Sequence, residues 1–449
     1  MSQRRAFSAP GKALLAGGYL VLDAHYKSYV VALSARMHAV VAVSHEPRDD
    51  NVLTVSVKSA QFNNNQWNYE VRSSDGYKPR ERDGLSNPFI QQVLTTVCNY
   101  FSSTVISHNC ISIDIYSDPQ YHSKENTKLV SNGINEFYFH TMDIQDVPKT
   151  GLGSSAGLVS VLTTALCSVF KPDLDVENKE HVRMIHNLAQ IAHCQAQGKI
   201  GSGFDVAAAT FGSVIYRRFS PEVISSLPSL EDNNIAEFQR TLKDTVDNVD
   251  WKTTADSVNF PPGLKQVMGD VNTGSETVKL VQRVKQWYVD NEPRSLDIYN
   301  EIDANNMRVI ASLQELNELT KTRPEYYNKM IESLGRGEIS NYPELCALRT
   351  AFHTIRKNFR IITAESGAEI EPDVQTTLLD NCETLDGVIA GVVPGAGGYD
   401  AIALITGEST DVETETNDRE AFQNVKWLKL QQAQRGLQEE VASSYDNLF

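Results

Sequence analysis

Residues 148–157 read P-K-T-G-L-G-S-S-A-G and run directly into the apolar segment Leu158 to Phe170. Three glycines, two serines and a threonine within the eight residues 150–157, ahead of a segment rich in Leu, Val and Ala, describe a loop that hands over to the N-terminus of a buried helix. Glycine lets a backbone take positive φ and approach a ligand closely. The first helical N–H groups lack intrahelical partners and lie at the positive end of the macrodipole. A polyphosphate suits such a junction. Each hydrogen bond to a charged group contributes roughly 1.5–3 kcal/mol, so three or four converging N–H groups supply most of the roughly 8 kcal/mol that micromolar binding requires. A glycine-rich turn before a core helix fits the same residues equally well. The order G-x-x-x-x-G-K-[ST] of a P-loop is absent, so the rest of the chain has to decide between the two readings.

Around this stretch the chain has 449 residues, enough for two or three domains, with 41% apolar and 22% charged residues, as in an ordinary globular protein. A net charge of −16 argues against a general nucleic-acid or anionic-membrane surface, so any phosphate site has to be positive locally. The cysteines at 98, 110, 167, 194, 346 and 382 form no C-x-x-C pair and no zinc spacing. They read as reduced core residues of a cytoplasmic protein. The N-terminus has no apolar h-region before Pro10, and the apolar run 157–170 is too short to span a bilayer, so neither a signal peptide nor a membrane helix is expected.

In chain order, residues 6–22 predict strand, Pro-Gly-Lys turn, strand, and Val30–Ser44 predicts a further strand pair. Residues 45–86 read as hairpins and loops. Asn87-Pro88 opens a helix with Phe89, Ile90, Val93, Leu94, Val97 and Phe101 on a core face. A strand with alternating Ile111, Ile113 and Ile115 follows, then a polar surface excursion over 119–145. The segment 180–197 predicts a helix ending at Gly198. The glycines of G-K-I-G-S-G-F-D then place Asp205 after a tight turn, where an N-cap role is one reading. Residues 212–219 predict a strand bearing Arg217 and Arg218. A domain boundary is expected in the Pro-, Asn- and acid-rich stretch 220–258, giving domains 1–225 and 226–449. Beyond it come a strand at 264–271, a helix capped by Ser275-Glu276, a second helix through Leu316, and a third with Leu345, Leu348, Phe352, Ile355, Phe359 and Ile362 at 3,4 spacing. Strands at 387–394 and 399–406 flank the loop G-A-G-G, a strand is expected near 425–430, and the polar tail is expected to fray.

Three segments, P-G-K-A-L-L-A-G-G-Y at 10–19, T-G-L-G-S-S-A-G at 150–157 and P-G-A-G-G-Y-D-A at 394–401, together resemble the signature motifs of the GHMP kinases, in the same order. Within that family, G-G-Y-L-V-L and H-C-Q-A-Q-G-K-I-G-S-G-F-D-V-A-A-A are similar to the fungal phosphomevalonate kinases. The resemblance implies an α+β, two-domain fold, ribosomal-protein-S5-like then ferredoxin-like, with the site between the halves. It also implies transfer of the ATP γ-phosphoryl group to 5-phosphomevalonate, with Mg²⁺ as cofactor. Mevalonate kinase, diphosphomevalonate decarboxylase and a non-catalytic nucleotide sensor are the alternatives within the same fold.

The resemblance also carries roles onto this sequence. Lys149, Gly151, Leu152, Gly153, Ser154, Ser155, Ala156 and Gly157 would wrap the ATP phosphates, with the Ser155 hydroxyl as magnesium ligand. Asp205 and Lys12 would be the catalytic pair. Tyr19, His193, Lys199, Ser202, Arg217, Arg218, Gly395, Ala396, Gly397 and Gly398 would, with Lys12, surround the substrate. One departure stands out: mevalonate kinases carry a glutamate magnesium ligand on the helix before the catalytic aspartate, whereas Ile191 to Lys199 here contains no acid, only His193, Gln195 and Gln197.

Overall fold

A computed structural model describes residues 4–44, 52–63, 65–105, 110–124, 127–144, 146–148, 150–231, 233–271 and 277–448. Its larger sheet is built on two long antiparallel strands, β1 (Arg4–Ala16) and β2 (Ser28–Ser44). Both bury most of their residues on both faces, which their run of Ala, Val and Leu permits. The predicted Pro-Gly-Lys turn is not there. β1 runs straight through it, with only a register shift between Pro10 and Gly11, because a proline without an N–H is tolerated at a bulge and does not by itself reverse a chain. The reversal comes later, where Gly17 (φ 111°) and Tyr19 (φ 62°) take left-handed backbone. Likewise 30–44 is one strand instead of two, since no Gly or Pro interrupts it.

Next come β3 (Val52–Ser59), β4 (Gln66–Arg72) and β5 (Arg80–Glu81), the expected hairpin region, then β6 (Cys110–Ser117). The excursion 119–145 holds a separate hairpin, β7 (Thr127–Ser131) with β8 (Glu136–His140). It is less superficial than its polarity suggested: Tyr121, His122, Phe137 and His140 are buried, Phe137 beneath the C-terminal Tyr445 and Leu448, Tyr121 in the main core and the two histidines against Phe62. With β9 (Val214–Arg217) and β10 (Thr254–Ser257), the larger sheet runs β10-β9-β2-β6-β3-β4-β5, and β1 lies on the other edge of β2.

Four helices pack on this sheet and on one another: α1 (Pro88–Tyr100), α2 (Ser154–Phe170), α3 (Lys179–Gln197) and α4 (Phe204–Phe211). The Asn87 side chain caps α1 by accepting from the N–H groups of Phe89 and Ile90, and Gly198 ends α3 in left-handed conformation, both as the sequence predicted. After the short helices α5 (Glu222–Ser225) and α6 (Ile235–Asp247), a second sheet forms from β11 (Leu264–Asp270), β12 (Val388–Val392), β13 (Ala401–Gly407) and β14 (Lys426–Leu428) in the order β12-β13-β11-β14, all antiparallel. Between β11 and β12 the chain forms α7 (Thr277–Asp290), α8 (Arg294–Thr322), α9 (Pro324–Leu334), α10 (Pro343–Ser366) and α11 (Asp373–Cys382). The cap expected at Ser275-Glu276 lies outside the described residues. The 345–362 stripe buries itself between α8 and β12, as its spacing required.

The polar tail does not fray. β15 (Gln432–Ala433) pairs with β2 and β16 (Gln438–Glu440) pairs with β1, so the C-terminus completes the first sheet. The larger sheet therefore draws strands from either side of residue 225, with β10, β15 and β16 joining it, whereas the second sheet is built wholly from residues after 225.

Candidate active site

The loop 150–153 is tied to β1 by backbone and side chain together. Lys12 N donates to Leu152 O at 3.0 Å, and Lys12 Nζ donates to Gly151 O at 3.0 Å. α2 begins at Ser154 with Gly153 (φ 85°) as N-cap and no side-chain cap, which leaves its first N–H groups available to a ligand. A Cβ at Gly153 would lie 3.1 Å from Lys12 Cε, so glycine is needed for the close passage of the lysine as well as for its conformation. Gly157 lets α2 settle onto β2, where an added Cβ would meet Met37 Cγ at 2.7 Å. Lys149 lies outside the described residues.

On the other side of Lys12, α4 brings Asp205. Its N-cap is Gly203 (φ 82°), so Asp205 sits inside the first turn and is not the cap; its Oδ1 accepts from Val206 N at 2.9 Å. Burial lowers the Lys12 pKa below the usual lysine value, and the Asp205 carboxylate opposes that shift. The Lys12 ammonium also lies over the Phe204 ring, 5.6 Å from its centroid. Lys12 and Asp205, separated by 193 positions in sequence, thus interact at the mouth of the glycine loop.

His193 joins the two helices: its Nε2 is 3.2 Å from Ser155 Oγ, 3.1 Å from Gln197 Nε2 and 3.9 Å from Asp205 Oδ2. Phe89 of α1 stacks on the ring at 5.9 Å. Between α1, β2 and the start of α2 opens a cavity of about 200 Å³, lined by Met37, Trp67, Asn87, Phe89, Ser154 and Ser155 among others. Residues 127–213, which include the glycine loop, His193 and Asp205, match the GHMP kinases N terminal domain. A phosphomevalonate kinase of Candida albicans is 42% identical over 449 residues, covering 99% of this chain and 100% of that protein. The chain belongs to the phosphomevalonate kinase family.

A second family member, from Gibberella zeae, is 33% identical over 98% of this chain and 97% of its own length. The Streptococcus pneumoniae phosphomevalonate kinase in complex with phosphomevalonate and AMPPNP shares the fold, with TM-score 0.59 at 16% identity, covering 96% of this chain and 100% of that one. The fold is that of the GHMP kinases, as its motifs implied. The remaining residues singled out from the sequence fall into three groups in this family member. Arg218 is taken up by three backbone carbonyls, of Leu22, Ile200 and Gly201, at 2.5, 3.1 and 2.7 Å, and so pins the 200–205 turn. Arg217 reaches instead toward Lys252 O at 3.5 Å, beside β10. Ser202 takes part through its carbonyl, which accepts from Tyr216 OH at 2.8 Å. Lys199 is exposed on the same turn, and among the described residues no partner holds its side chain.

From the other sheet, Tyr19 OH donates to Ala396 O at 2.8 Å, tying the 17–19 reversal to the G-A-G-G loop. Gly395 lies against Gly18, whose added Cβ would be 3.0 Å from Gly395 O, and Gly398 N donates to Ile370 O at 2.8 Å. The sequence reading did not single out Trp67, Met37, Asn87 or Phe89 as lining a site. Helical periodicity marks Phe89 as core, and a core face and a cavity wall carry the same pattern. Phe204, which meets Lys12, lay within a quoted motif without a role of its own, and Gln190, which meets Gly203, lay outside every motif.

Proposed function

We propose that the chain transfers the γ-phosphoryl group of ATP to the phosphate of (R)-5-phosphomevalonate, giving 5-diphosphomevalonate and ADP in the mevalonate route to isoprenoids and sterols. Membership of the family supports the reaction. The observation that carries the site assignment is the placement of Lys12, bonded to Gly151 O, within electrostatic influence of Asp205 and beside the uncapped N-terminus of α2.

In this reading the N–H groups of 153–156 hold the donor phosphates, and the cavity beside Ser154 and Phe89 takes the base. A P–O bond forms between an acceptor phosphate oxygen and the γ-phosphorus, while the β–γ bridge breaks and ADP leaves with its electron pair. A phosphate acceptor is largely ionised near neutral pH, so little proton abstraction is required. Lys12 lowers the repulsion between the two anions, and Asp205 holds Lys12 charged and receives a residual proton when the acceptor carries one. Lys199, exposed and without a side-chain partner among the described residues, suits the acceptor phosphate, whereas Arg218 is committed to backbone.

The oxygens present fit Mg²⁺. The Ser155 hydroxyl would hold the ion, with the Asp205 carboxylate nearby and the nucleotide phosphates as its main partners. Among the described residues no group of three or more His, Cys, Asp or Glu could hold a metal ion, which suits an ion carried mainly by the nucleotide. Bound there, Mg²⁺ neutralises charge on the donor phosphates. The six free thiols support a reducing compartment, the cytoplasm. Among the described residues no helix is long and apolar enough to cross a membrane.

The test is product mass with ATP, Mg²⁺ and either phosphomevalonate or mevalonate. Formation of diphosphomevalonate is expected. ADP formed with mevalonate and none with phosphomevalonate would reject the substrate assignment.

A further inference from the structure

His193 is 3% exposed, in the wall of the site, on the stretch of α3 that lacks any acid. Three polar atoms surround its Nε2, and their chemistry restricts what this nitrogen does. The Gln197 amide nitrogen lies 3.1 Å away and can only donate, which makes Nε2 the acceptor in this pair. Ser155 Oγ, 3.2 Å from the same nitrogen, is then a second donor that shares its lone pair with Gln197. Asp205 Oδ2 at 3.9 Å is beyond hydrogen-bond reach. The stacked Phe89 ring at 5.9 Å fixes the plane of the imidazole.

We infer that His193 is a positioning residue for the phosphoryl transfer: by accepting the Ser155 hydroxyl proton, it turns the two lone pairs of Ser155 Oγ toward the magnesium–nucleotide. A serine hydroxyl has one proton and two lone pairs, and a rotor left free spends part of its time pointing the proton at the cation. The histidine removes that orientation. It therefore answers the missing glutamate by improving the hydroxyl ligand proposed, without itself becoming a ligand. Because the ring bonds to Ser155 and not to Asp205, the carboxylate is left to Lys12.

The inference rests on the proposed reaction, and the tests below separate the two. His193→Phe keeps the stacking ring and removes the acceptor, whereas His193→Gln restores an acceptor near the Nε2 position. Expected for His193→Phe is a loss of kcat of about 10–100-fold, the range found when the partner of a metal-binding group is removed, with little change in KM for phosphomevalonate. His193→Gln should recover most of the rate. Adding His193→Phe to Ser155→Ala should cost nothing further, since the histidine acts through that hydroxyl. By calorimetry, His193→Phe should bind Mg²⁺–AMPPNP more weakly than the unmodified chain and metal-free AMPPNP equally well, with an unchanged Tm.

Full turnover by His193→Phe, multiplicative losses in the double variant, or equal weakening with and without Mg²⁺ would overturn the role. Should His193→Phe melt early, the Gln variant decides: a rate as low as that of Ser155→Ala overturns the inference. Failure of the unmodified chain to form diphosphomevalonate would reject the substrate instead, and the AMPPNP arm would still read His193.

Discussion

Lys12 is held under opposing influences, since burial lowers its pKa and Asp205 raises it. A lysine with a depressed folded pKa costs stability wherever both states are protonated; the cost fades as pH rises through the folded pKa and is gone above the unfolded value near 10.5. Lys12→Met should therefore abolish turnover while raising Tm at pH 7, with the gain shrinking as pH approaches 10.5. Calorimetric melts across that range check the sign, and a variant less stable at pH 7 would contradict it. Asp205→Asn should lower kcat by about 10²-fold, within what acid–base groups supply, with smaller change in KM for ATP. Steady-state kinetics would return Asp205 to a structural role if kcat stayed near normal. The family resemblance had paired the two residues, whereas spacing and periodicity offered no reason to, because their interaction depends on a strand and a helix meeting.

The elements that bring them together are β1 and α4, and β1 is also joined to the loop before α2 through Leu152 O and Gly151 O. Gly153 is the point where loop, helix and lysine come closest. Gly153→Ala should cost about 1–3 kcal/mol through its left-handed backbone, and it should also reduce kcat because the new methyl presses on Lys12. Urea unfolding and kinetics on the same variant separate the two effects; unchanged kcat would show that Lys12 is not set by this contact. α2 itself was legible from its glycine loop and apolar run, and α1 and α10 from caps and periodicity. The Lys12 turn was misread because Pro-Gly is a turn signal in isolation, whereas β2 pairs with the segment on both sides of it and absorbs it as a bulge.

At the scale of the molecule, the last nineteen residues close the first sheet. Arg5 pairs with Glu439 at 2.8 Å, Ser8 Oγ donates to Glu440 at 2.6 Å, and His38 Nδ1 bonds Tyr445 OH at 2.9 Å. A chain ending at Leu430 should lose cooperative folding or melt many degrees lower by circular dichroism; a normal melt would show the tail to be dispensable. Gly436 approaches Thr210 O so closely that an added Cβ would lie 2.1 Å away. Gly436→Ala should thus cost on the order of 1–3 kcal/mol, the price of overpacking, and shift the urea midpoint accordingly. In the second sheet's helical layer, buried Arg356 bonds Glu371 at 3.0 Å, Asp380 at 2.8 Å and Glu383 at 3.3 Å. That cluster anchors the 367–372 connection, against which the G-A-G-G loop rests through Gly398 N and Ile370 O.

The amino-acid sequence by itself determined the local signals: the helix caps at Asn87 and Gly198, the apolar stripes of α1 and α10, the glycine loop before α2, and the three motifs whose order identifies the family. These depend on neighbours a few residues away, where backbone sterics and side-chain periodicity act directly. Only the tertiary structure decided that the polar tail is a sheet strand, that Arg218 serves backbone carbonyls, and that His193 stands between Ser155 and Asp205. Each of those depends on groups from distant segments meeting, and neither composition nor spacing encodes that meeting.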